Sequence, residues 1–224
     1  MTDTAQPTAA ATGRSLEHRL ARLEAVQEIH NLMGRYSNWH SANMHRECLD
    51  LFALSREDVS AEMMWGVYEG RESLERLYPG FHVWADGDAR GKMHMHTLTT
   101  PVIEVADDLR TARGTWVSPG LETMSFVEDA ANDAFWAWCK YGADFILEDG
   151  VWKIWHLHVF GLFMTPYDRP WTEDPSDHGD PPMPDEFLPD KPPTTHWMYA
   201  QDRVYPNEPA PPAPYASFNP TDRF

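Results

Sequence analysis

The sequence is poor in cysteine and in basic residues. Its 224 residues include only two cysteines, Cys48 and Cys139, which cannot form a disulfide framework, so we expect a cytoplasmic protein. The 18 lysines and arginines are outnumbered by 35 aspartates and glutamates, which gives a net charge of -17. Nucleic acid and anionic membranes both attract positive surfaces, so neither is an expected partner of this acidic chain.

Several familiar signals are also missing. No apolar run approaches the roughly 18–20 residues of a membrane-spanning helix, and Met1–Gly13 lacks the apolar core of a secretion signal. The chain has no Gly-x-Ser-x-Gly elbow, no P-loop and no Gly-x-Gly-x-x-Gly fingerprint. These absences argue against a serine hydrolase and against a nucleotide or nicotinamide enzyme. We expect no cofactor.

Proline divides the chain in two. Of the 19 prolines, 15 lie at or after position 166, where they prevent long helices and interior strands. We predict a disordered N-terminus over 1–15, a folded domain over 16–164 and an extended tail over 165–224. Because the tail is rich in aromatic residues, we expect it to lie on its own domain or on a neighbouring subunit. A homo-oligomer, dimer or trimer, with exchanged tails is the corresponding prediction.

The hydrophobic pattern places helices first and strands afterwards. The predicted elements, in chain order, are helices over Leu16–Tyr36 and Met44–Leu54, a strand over Val59–Tyr68, a helix over Arg71–Tyr78, and strands over His94–Val105, Arg110–Val117, Phe135–Leu147 and Val151–Phe163. Asp149-Gly150 separates the last two strands and is a strong hairpin signal. This order predicts an α+β fold.

Five segments in this order resemble the SnoaL-like branch of the nuclear-transport-factor-2-like superfamily. They are Glu28–Leu32 with Arg35-Tyr36, Leu51-Phe52, Tyr68–Glu72, His96–Val105 and Asp149–Ile154. The resemblance implies a cone-shaped, curved antiparallel sheet packed on N-terminal helices, an α+β barrel around a pocket. The superfamily includes dehydratases, isomerases, cyclases, lyases and non-enzymatic binding proteins, so the fold alone does not fix the activity.

Two relatives within this superfamily suggest site residues. Tyr36 falls where ketosteroid isomerases have a tyrosine that hydrogen-bonds the developing oxyanion. His96 would match a strand histidine of scytalone dehydratase, which removes water without a cofactor. The chain departs from that enzyme at its helical Tyr-Asp pair, which would fall near Ala42 and Asn43. A third similar group comprises the cofactor-free γ-formaldehyde lyases of bacterial lignin-dimer breakdown.

Histidines form two His-x-His pairs on predicted strands, His94/His96 and His156/His158. Since side chains alternate along a strand, each pair shares one face of the sheet. A cupin-like metal site would need a glutamate four or five residues after the second histidine, but the first acid after His96 is Glu104. We therefore expect no metal. We interpret His96 and His158 as acid–base residues and His156 as a substrate-binding residue.

Polar residues also interrupt the apolar stripe at the end of the first helix. Tyr36, His40 and Asn43 stand at i, i+4 and i+7 and so share one helix face. They are either a solvent-facing edge or the polar lining of a pocket. In the second interpretation Tyr36 and His40 are catalytic and Asn43 binds substrate.

The aromatic residues, which include 10 tryptophans, could form the walls of such a pocket. Trp65, Tyr68 and Trp116 are the predicted substrate-binding aromatics, because flat rings stack on aromatic ligands. Glu62 could act as a general acid in this setting, although an outward-facing position is the simpler interpretation.

Together these features predict a cofactor-independent lyase or dehydratase that acts on a small hydroxylated aromatic substrate. A para-phenol would let a benzylic hydroxyl leave through a quinone methide, and a neighbouring hydroxymethyl group could then be lost as formaldehyde. The alternatives are an isomerase or simple dehydratase of a polyketide- or steroid-like compound, and a non-catalytic ligand-binding or assembly module.

Overall fold

The computed structural model describes residues 13–124, 132–173 and 183–224. The helices of these parts are α1 (Leu16–Ser41), α2 (His45–Leu49), α3 (Arg71–Glu75), a π-helical segment (Arg76–His82) and α4 (Val83–Asp86), with two short 3-10 turns at Asp185–Phe187 and Pro220–Asp222. The strands are β1 (Ser60–Met63), β2 (Gly66–Glu69), β3 (His94–His96), β4 (Thr99–Val105), β5 (Thr111–Ser118), β6 (Gly120–Met124), β7 (Asp133–Glu148) and β8 (Val151–Pro166). Most of the predicted N-terminal segment 1–15 lies outside the described residues.

The long helix α1 begins at a side-chain cap and ends later than its apolar stripe suggests. The Ser15 hydroxyl accepts a hydrogen bond from the backbone N–H of His18, which satisfies one of the free donors of the first turn. The buried face begins with Ala25 and Ile29 and continues to Tyr36 and His40. The polar residues at the end of α1 therefore face the protein interior.

All strands belong to one sheet of order β2-β1-β8-β7-β5-β4, with β6 paired to β7 and β3 paired to β6. The predicted α+β class is confirmed. The expected antiparallel pairing holds for every described pair except β1 and β8, which run parallel. In the described residues the sheet ends at β2 and β4, which do not pair with each other, so it does not close into the predicted barrel.

Two predicted strands are broken and one strand was missed. The segment Val59–Tyr68 is a hairpin of β1 and β2, because the chain turns back at Met64-Trp65. The segment His94–Val105 divides into β3 and β4, which pair with different partners. The missed strand is β6, whose proline-glycine start at Pro119-Gly120 has the composition of a loop.

The hairpin of β7 and β8 is the centre of the sheet. It turns at Asp149 and Gly150, which both have positive φ as a tight hairpin turn requires. Alternate residues of β7 face the two sides of the sheet. Tyr141 belongs to the side that packs against α1, which we call the inner face, whereas Lys140 and Asp144 belong to the opposite, outer face.

The described part of the tail lies along the outer face. Backbone hydrogen bonds join Met198 to Gly161, and Phe218 stacks 4.5 Å from the ring of Trp155. Phe224 lies against Gly142, where a side chain would collide with its ring. The predicted exchange of tails between subunits remains a prediction. No helix among the described residues is both long enough and apolar enough to cross a membrane.

We expect the Phe145→Ala variant to lose about 3–5 kcal/mol of unfolding free energy, since this fully buried ring fills the core between α1 and the sheet. The matched control is Val151→Ala in the same hairpin. Val151 is 54% exposed, so its truncation should change stability by less than about 0.5 kcal/mol. Urea unfolding measures both values. Equal losses in the two variants would contradict the assigned faces of the hairpin.

Candidate functional site

Five imidazoles and two carboxylates meet where the end of α1 approaches β3. We call this group the histidine cluster; it consists of His40, His45, His82, His94, His96, Asp86 and Glu122. The ring of His40 occupies its middle, with centroids 5.1 Å from His45, 5.2 Å from His82 and 5.4 Å from His96. Six separate elements contribute to the group, so only the folded chain assembles it.

Glu122 on β6 holds the two histidines of β3. Its Oε1 lies 2.7 Å from His96 Nε2, and its Oε2 lies 3.5 Å from His94 Nδ1. The register places β6 beside β3, with His94 opposite Glu122 and His96 opposite Gly120. Gly120 is needed here because a Cβ would stand 2.9 Å from His96 Nδ1 and would collide with the Ala137 carbonyl.

Asp86, the last residue of α4, holds a second pair of histidines. His45 Nε2 donates to Asp86 Oδ2 at 2.6 Å, and His94 Nε2 donates to Asp86 Oδ1 at 2.9 Å. His94 therefore bridges both carboxylates. The result is an alternating chain of imidazoles and carboxylates that runs from His45 to His96.

The contacts within this series of imidazoles and carboxylates fix the charges of His94, His96, Asp86 and Glu122. Burial opposes the charge of His96, but the neighbouring Cys139 thiol and the Glu122 carboxylate raise its pKa to about 10. Burial likewise opposes the charge of His94, and hydrogen bonds to Asp86 and Glu122 raise its pKa to about 9. Burial would raise the pKa of each carboxyl, yet the same hydrogen bonds hold both well below their usual range. At neutral pH two imidazolium ions balance two carboxylates.

Two further imidazoles of the cluster, those of His40 and His82, are neutral. Burial, followed by the proximity of His82 and His96, lowers the pKa of His40 well below 6.5. Burial and the neighbouring His45 lower the pKa of His82 to about 3. His82 Nδ1 donates to the Leu77 carbonyl, which leaves its Nε2 as the acceptor. Buried neutral and charged imidazoles thus stand side by side.

Three ring nitrogens of the cluster are buried without a partner in the described part of the chain. The Nδ1 atoms of His40, His45 and His96 are buried and have no hydrogen-bond partner among the described residues. Buried polar atoms are usually satisfied, so three such atoms in one cluster are unusual.

A pair of tyrosine hydroxyls adjoins the histidines. The hydroxyls of Tyr36 and Tyr78 are 3.0 Å apart, and the Tyr36 ring lies 5.9 Å from that of His40. Burial raises the pKa of both phenols well above 10, so both stay protonated. Because only one of the two protons is used in the mutual hydrogen bond, the pair can donate to an oxyanion.

The π-helical segment explains how Tyr78 and His82 reach this site. Pro79 has no N–H and its ring crowds the carbonyl four residues earlier, so an α-helix is interrupted there. The wider π turn accommodates the proline and keeps Tyr78 and His82 on one side, with their rings stacked at 5.4 Å. Such turns occur often at functional sites.

The structure brings together three of the residues predicted to be catalytic: Tyr36, His40 and His96. It separates His158 and His156 from them. A β-bulge at Trp155 shifts the register between Asp144 and Phe145, so the alternation along β8 changes face there. Both histidines consequently lie on the outer face, beneath the tail, rather than with His96.

The outer-face histidines have partners of their own. His158 Nε2 lies 3.2 Å from Glu62 Oε1 and 3.0 Å from the Thr195 hydroxyl. His156 Nδ1 lies 2.9 Å from Asp144 Oδ2. Glu62 therefore has a tail-binding position on this face, and not the pocket position considered from its aromatic surroundings.

The four predicted substrate-binding residues outside β8 are dispersed. Trp65 donates to the Tyr68 hydroxyl, which donates to the Phe187 carbonyl, so both belong to the contact with the tail. Trp116 is buried on the inner face and packs edge-on against Phe145. Asn43 ends the α1 region with φ 58° and a buried Oδ1. The sequence reasoning grouped residues that the fold places in different layers.

Sequence reasoning missed five members of the site. These are His45, Tyr78, His82, Asp86 and Glu122. Asp86 and Glu122 lie in segments whose composition is typical of loops, where a carboxylate is normally solvated. The four-residue spacing of Tyr78 and His82 and the nearby Asp86 form the one signal that could have indicated them.

The cluster does not offer an evident metal site. Among the described residues, no three His, Cys, Asp or Glu side chains are placed to hold one metal ion. His45, His94 and His96 each direct at least one ring nitrogen at Asp86 or Glu122. The arrangement instead provides protonated and neutral imidazoles for acid–base chemistry.

The sequence matches a family model described as a SnoaL-like domain over residues 21–158. This confirms the resemblance found in the sequence. The matched part includes every residue of the histidine cluster and ends before the tail. A search of the curated proteins returned no match.

Solved structures of similar fold share little sequence with this chain. A structure of LinA is 18% identical, with a TM-score of 0.55, and the match covers 74% of this chain and 99% of that one. A hexachlorocyclohexane dehydrochlorinase LinA-type3 from Novosphingobium barchaimii LL02 is 19% identical, with a TM-score of 0.54 and coverage of 73% and 99%. A candidate scytalone dehydratase from Novosphingobium aromaticivorans DSM 12444 is 16% identical, with a TM-score of 0.51 and coverage of 70% and 94%.

The charge pattern of the cluster predicts how stability depends on pH. His94 and His96 bind protons more tightly in the folded protein, so unfolding free energy should fall as pH rises from 6.5 through about 9 to 10. His82 binds protons less tightly when folded, and both carboxylates more weakly than usual, so stability should also fall below pH 6.5 and further below 4.5. The maximum is expected near pH 6.5.

A Glu122→Gln variant tests the origin of the alkaline slope. Removing one partner of a buried ion pair should cost about 3–5 kcal/mol at neutral pH and flatten the decline between pH 6.5 and 10. Urea unfolding at each pH gives the measurement. The control is Glu28→Gln on the exposed side of α1, which should leave the profile unchanged. An alkaline slope that survives in Glu122→Gln would contradict the assignment.

Proposed function

Because the chain belongs to the SnoaL-like domain family, we propose that it is a cofactor-independent lyase of the dehydratase type, with the histidine cluster as its acid–base centre. One observation carries this proposal. His96 stands 2.7 Å from Glu122 and 5.4 Å from the neutral His40, so a protonated and an unprotonated imidazole share one buried site. Pairs of groups whose environments shift their pKa values in opposite directions are typical acid and base partners.

His96 is the proposed general acid. Glu122 holds the proton on Nε2, so the Nδ1 proton is the one available for a leaving hydroxyl. Proton donation from Nδ1 leaves a neutral ring that is still hydrogen-bonded to Glu122. The carboxylate thus fixes the tautomer and the orientation of the ring.

His40 is the proposed general base. Its own burial and the positive charge of His96 suppress its basicity before reaction. When His96 gives up its proton, that neighbouring charge disappears and His40 becomes a stronger base. Donation by one imidazole therefore favours uptake by the other, which suits an elimination in which a leaving group gains a proton and the substrate loses one.

Tyr36 and Tyr78 are the proposed oxyanion donors. Their pair of hydroxyls lies in an apolar surround of rings, where a hydrogen bond to a developing phenolate or carbonyl oxygen is strong. The same pair can hold a substrate phenol in its ionised form while the ring carries negative charge.

The proposed substrate is a para-phenol with a benzylic hydroxyl and a neighbouring hydroxymethyl group. Loss of the phenolic proton to His40 and protonation of the benzylic hydroxyl by His96 expel water and form a quinone methide. His96, which is neutral after this step, then takes the hydroxyl proton of the hydroxymethyl group, so the adjacent carbon–carbon bond breaks and formaldehyde is released. His40 returns its proton to the phenolate oxygen. The electron pair returns to the ring, so the products are an alkenyl phenol, water and formaldehyde, without any oxidant.

The names of two structural neighbours support elimination as the reaction class. A dehydrochlorinase removes hydrogen chloride and a dehydratase removes water, and neither product change is a net redox reaction. Because the sequence identity to these neighbours is low, they indicate only a similar fold. The proposal rests on the site residues of this chain.

A substrate panel tests the reaction. The para-phenol should release formaldehyde, whereas its phenol methyl ether should be inert because it cannot form the quinone methide. The analogue without the hydroxymethyl group should lose only water. Formaldehyde assay and mass spectrometry of the aromatic product measure these outcomes.

Variants then test the roles of the residues. His96→Gln and His40→Gln should each lower kcat about 100- to 10,000-fold, and Tyr36→Phe about 100- to 1,000-fold. The matched control is His30→Gln, an exposed histidine on the same helix as His40.

Two results would sink the proposal. No turnover of any panel compound, with equal ligand binding by wild type and variants, would indicate a non-catalytic binding module. Stoichiometric zinc or iron in active protein would overturn the cofactor-independent mechanism.

A further inference from the structure

The tail contacts the π-helical segment on the side opposite to the histidine cluster. Residues 183–191, which we call the strap, cross the outer side of the π-helical segment and of β2. Met183 and Phe187 are partly buried against the main core. The strap lies outside the residues matched by the family model, so the family does not account for it.

The helical stretch from Arg76 to Asp86 has two sides at a spacing of four residues. One side faces the strap: Arg76 forms an ion pair with Asp190, and Trp84 has its ring 6.1 Å from that of Phe187. Between them, Gly80 is in close contact with Phe187, and a Cβ there would stand 3.1 Å from the ring.

The other side of the same stretch faces the histidine cluster. Tyr78 contacts Tyr36, His82 stacks on His45, and Asp86 binds His45 and His94. The strap and the histidine cluster therefore lie on opposite sides of this one helical stretch. A shift of the stretch would move Tyr78, His82 and Asp86 together.

Several contacts hold the strap in place from β2. The Val67 N–H donates to the Lys191 carbonyl, and the Val67 carbonyl accepts from the Asp190 N–H; both distances are 2.9 Å. Asp190 Oδ2 accepts from Glu69 N–H at 2.8 Å, and the Tyr68 hydroxyl donates to the Phe187 carbonyl at 3.0 Å. The strap acts as an additional edge along β2, so its position relative to the sheet is fixed.

A π turn needs such support. Its hydrogen bonds are fewer and less favourable than those of an α-helix, and Pro79 removes one further donor. The ring of Phe187 fills the space above Gly80, and the Asp190 carboxylate binds the first residue of the turn. Both contacts stabilise the π-helical hydrogen-bond register of the segment against other helical registers.

We propose that the strap holds the π-helical segment in the conformation that presents Tyr78, His82 and Asp86 to the site, with Phe187 and Asp190 as positioning residues. This inference rests on the proposed function for its catalytic consequence. Its structural part, the coupling of the strap to the histidine cluster, stands without it.

The test compares two aromatic anchors of the same tail. Phe187→Ala should lower kcat about 10- to 100-fold and shift its pH profile, because a misplacement of about 1 Å in catalytic groups has that cost. Phe187→Leu should restore most of the activity by filling the space above Gly80. Phe218→Ala is the matched control, since the ring contacts of Phe218 within the described residues are with Trp155 and His156 on the outer face.

A second readout does not depend on turnover. NMR titration of the imidazoles in the full chain should show altered His82 and His94 signals in Phe187→Ala and wild-type signals in Phe218→Ala. Asp190→Asn is a milder variant that tests the same coupling if Phe187→Ala does not fold, and it should shift the same two histidines.

The outcomes separate this inference from the proposed function. If the wild type turns over no panel compound but Phe187→Ala still shifts His82 and His94, the function fails and the coupling stands. If Phe187→Ala and Asp190→Asn leave the titrations and the pH profile of kcat unchanged while lowering the melting temperature as Phe218→Ala does, the strap is only structural and the inference is wrong.

Discussion

The need to neutralise two carboxylates that are largely removed from water governs the inner part of this protein. An isolated ionised carboxylate is costly to bury; Asp86 is buried, the Glu122 side chain is 13% exposed, and imidazoles bind both. His94 is indispensable to this balance, since it contacts both acids. The two acids and the imidazoles that bind them come from α2, α4, β3 and β6, so the requirement links elements that are far apart in sequence. Charge balance and assembly of the site are consequently one condition, and neither can be met by a partly folded chain.

The sheet separates two kinds of chemistry. On its inner face, imidazoles of both charge states and a pair of phenols surround unsatisfied ring nitrogens. On its outer face, histidine–carboxylate pairs of similar geometry are used up in binding the tail, as between His158, Glu62 and Thr195. The same pair of residue types thus belongs to the histidine cluster on one face and to tail attachment on the other, according to what else reaches it. The bulge at Trp155 decides which histidines belong to which face.

Local pattern was sufficient for α1, for the hairpin of β7 and β8 and for part of the site, but not for β6 or for the breaks within two predicted strands. Periodicity indicated α1 and the long hairpin, and the helix spacing placed Tyr36 and His40 on one helix face, which the structure shows to be buried. The pattern could not reveal the bulge, because one inserted residue changes the face of every later side chain without changing composition. It could not reveal Glu122 or Asp86 either, since an acid in a short polar segment looks the same whether it faces water or an imidazolium. Long-range pairing decides both matters.

The strap also sets an order of events during synthesis. Residues 183–191 leave the ribosome after every strand of the sheet, so the domain can form its core before they are available. In that interval the π-helical segment lacks the Phe187 ring beside Gly80 and the Asp190 carboxylate beside Arg76. If the strap positions this segment as proposed, it completes the histidine cluster last, although it contributes no group to the cluster. A nascent chain would then form its core before it completes its site.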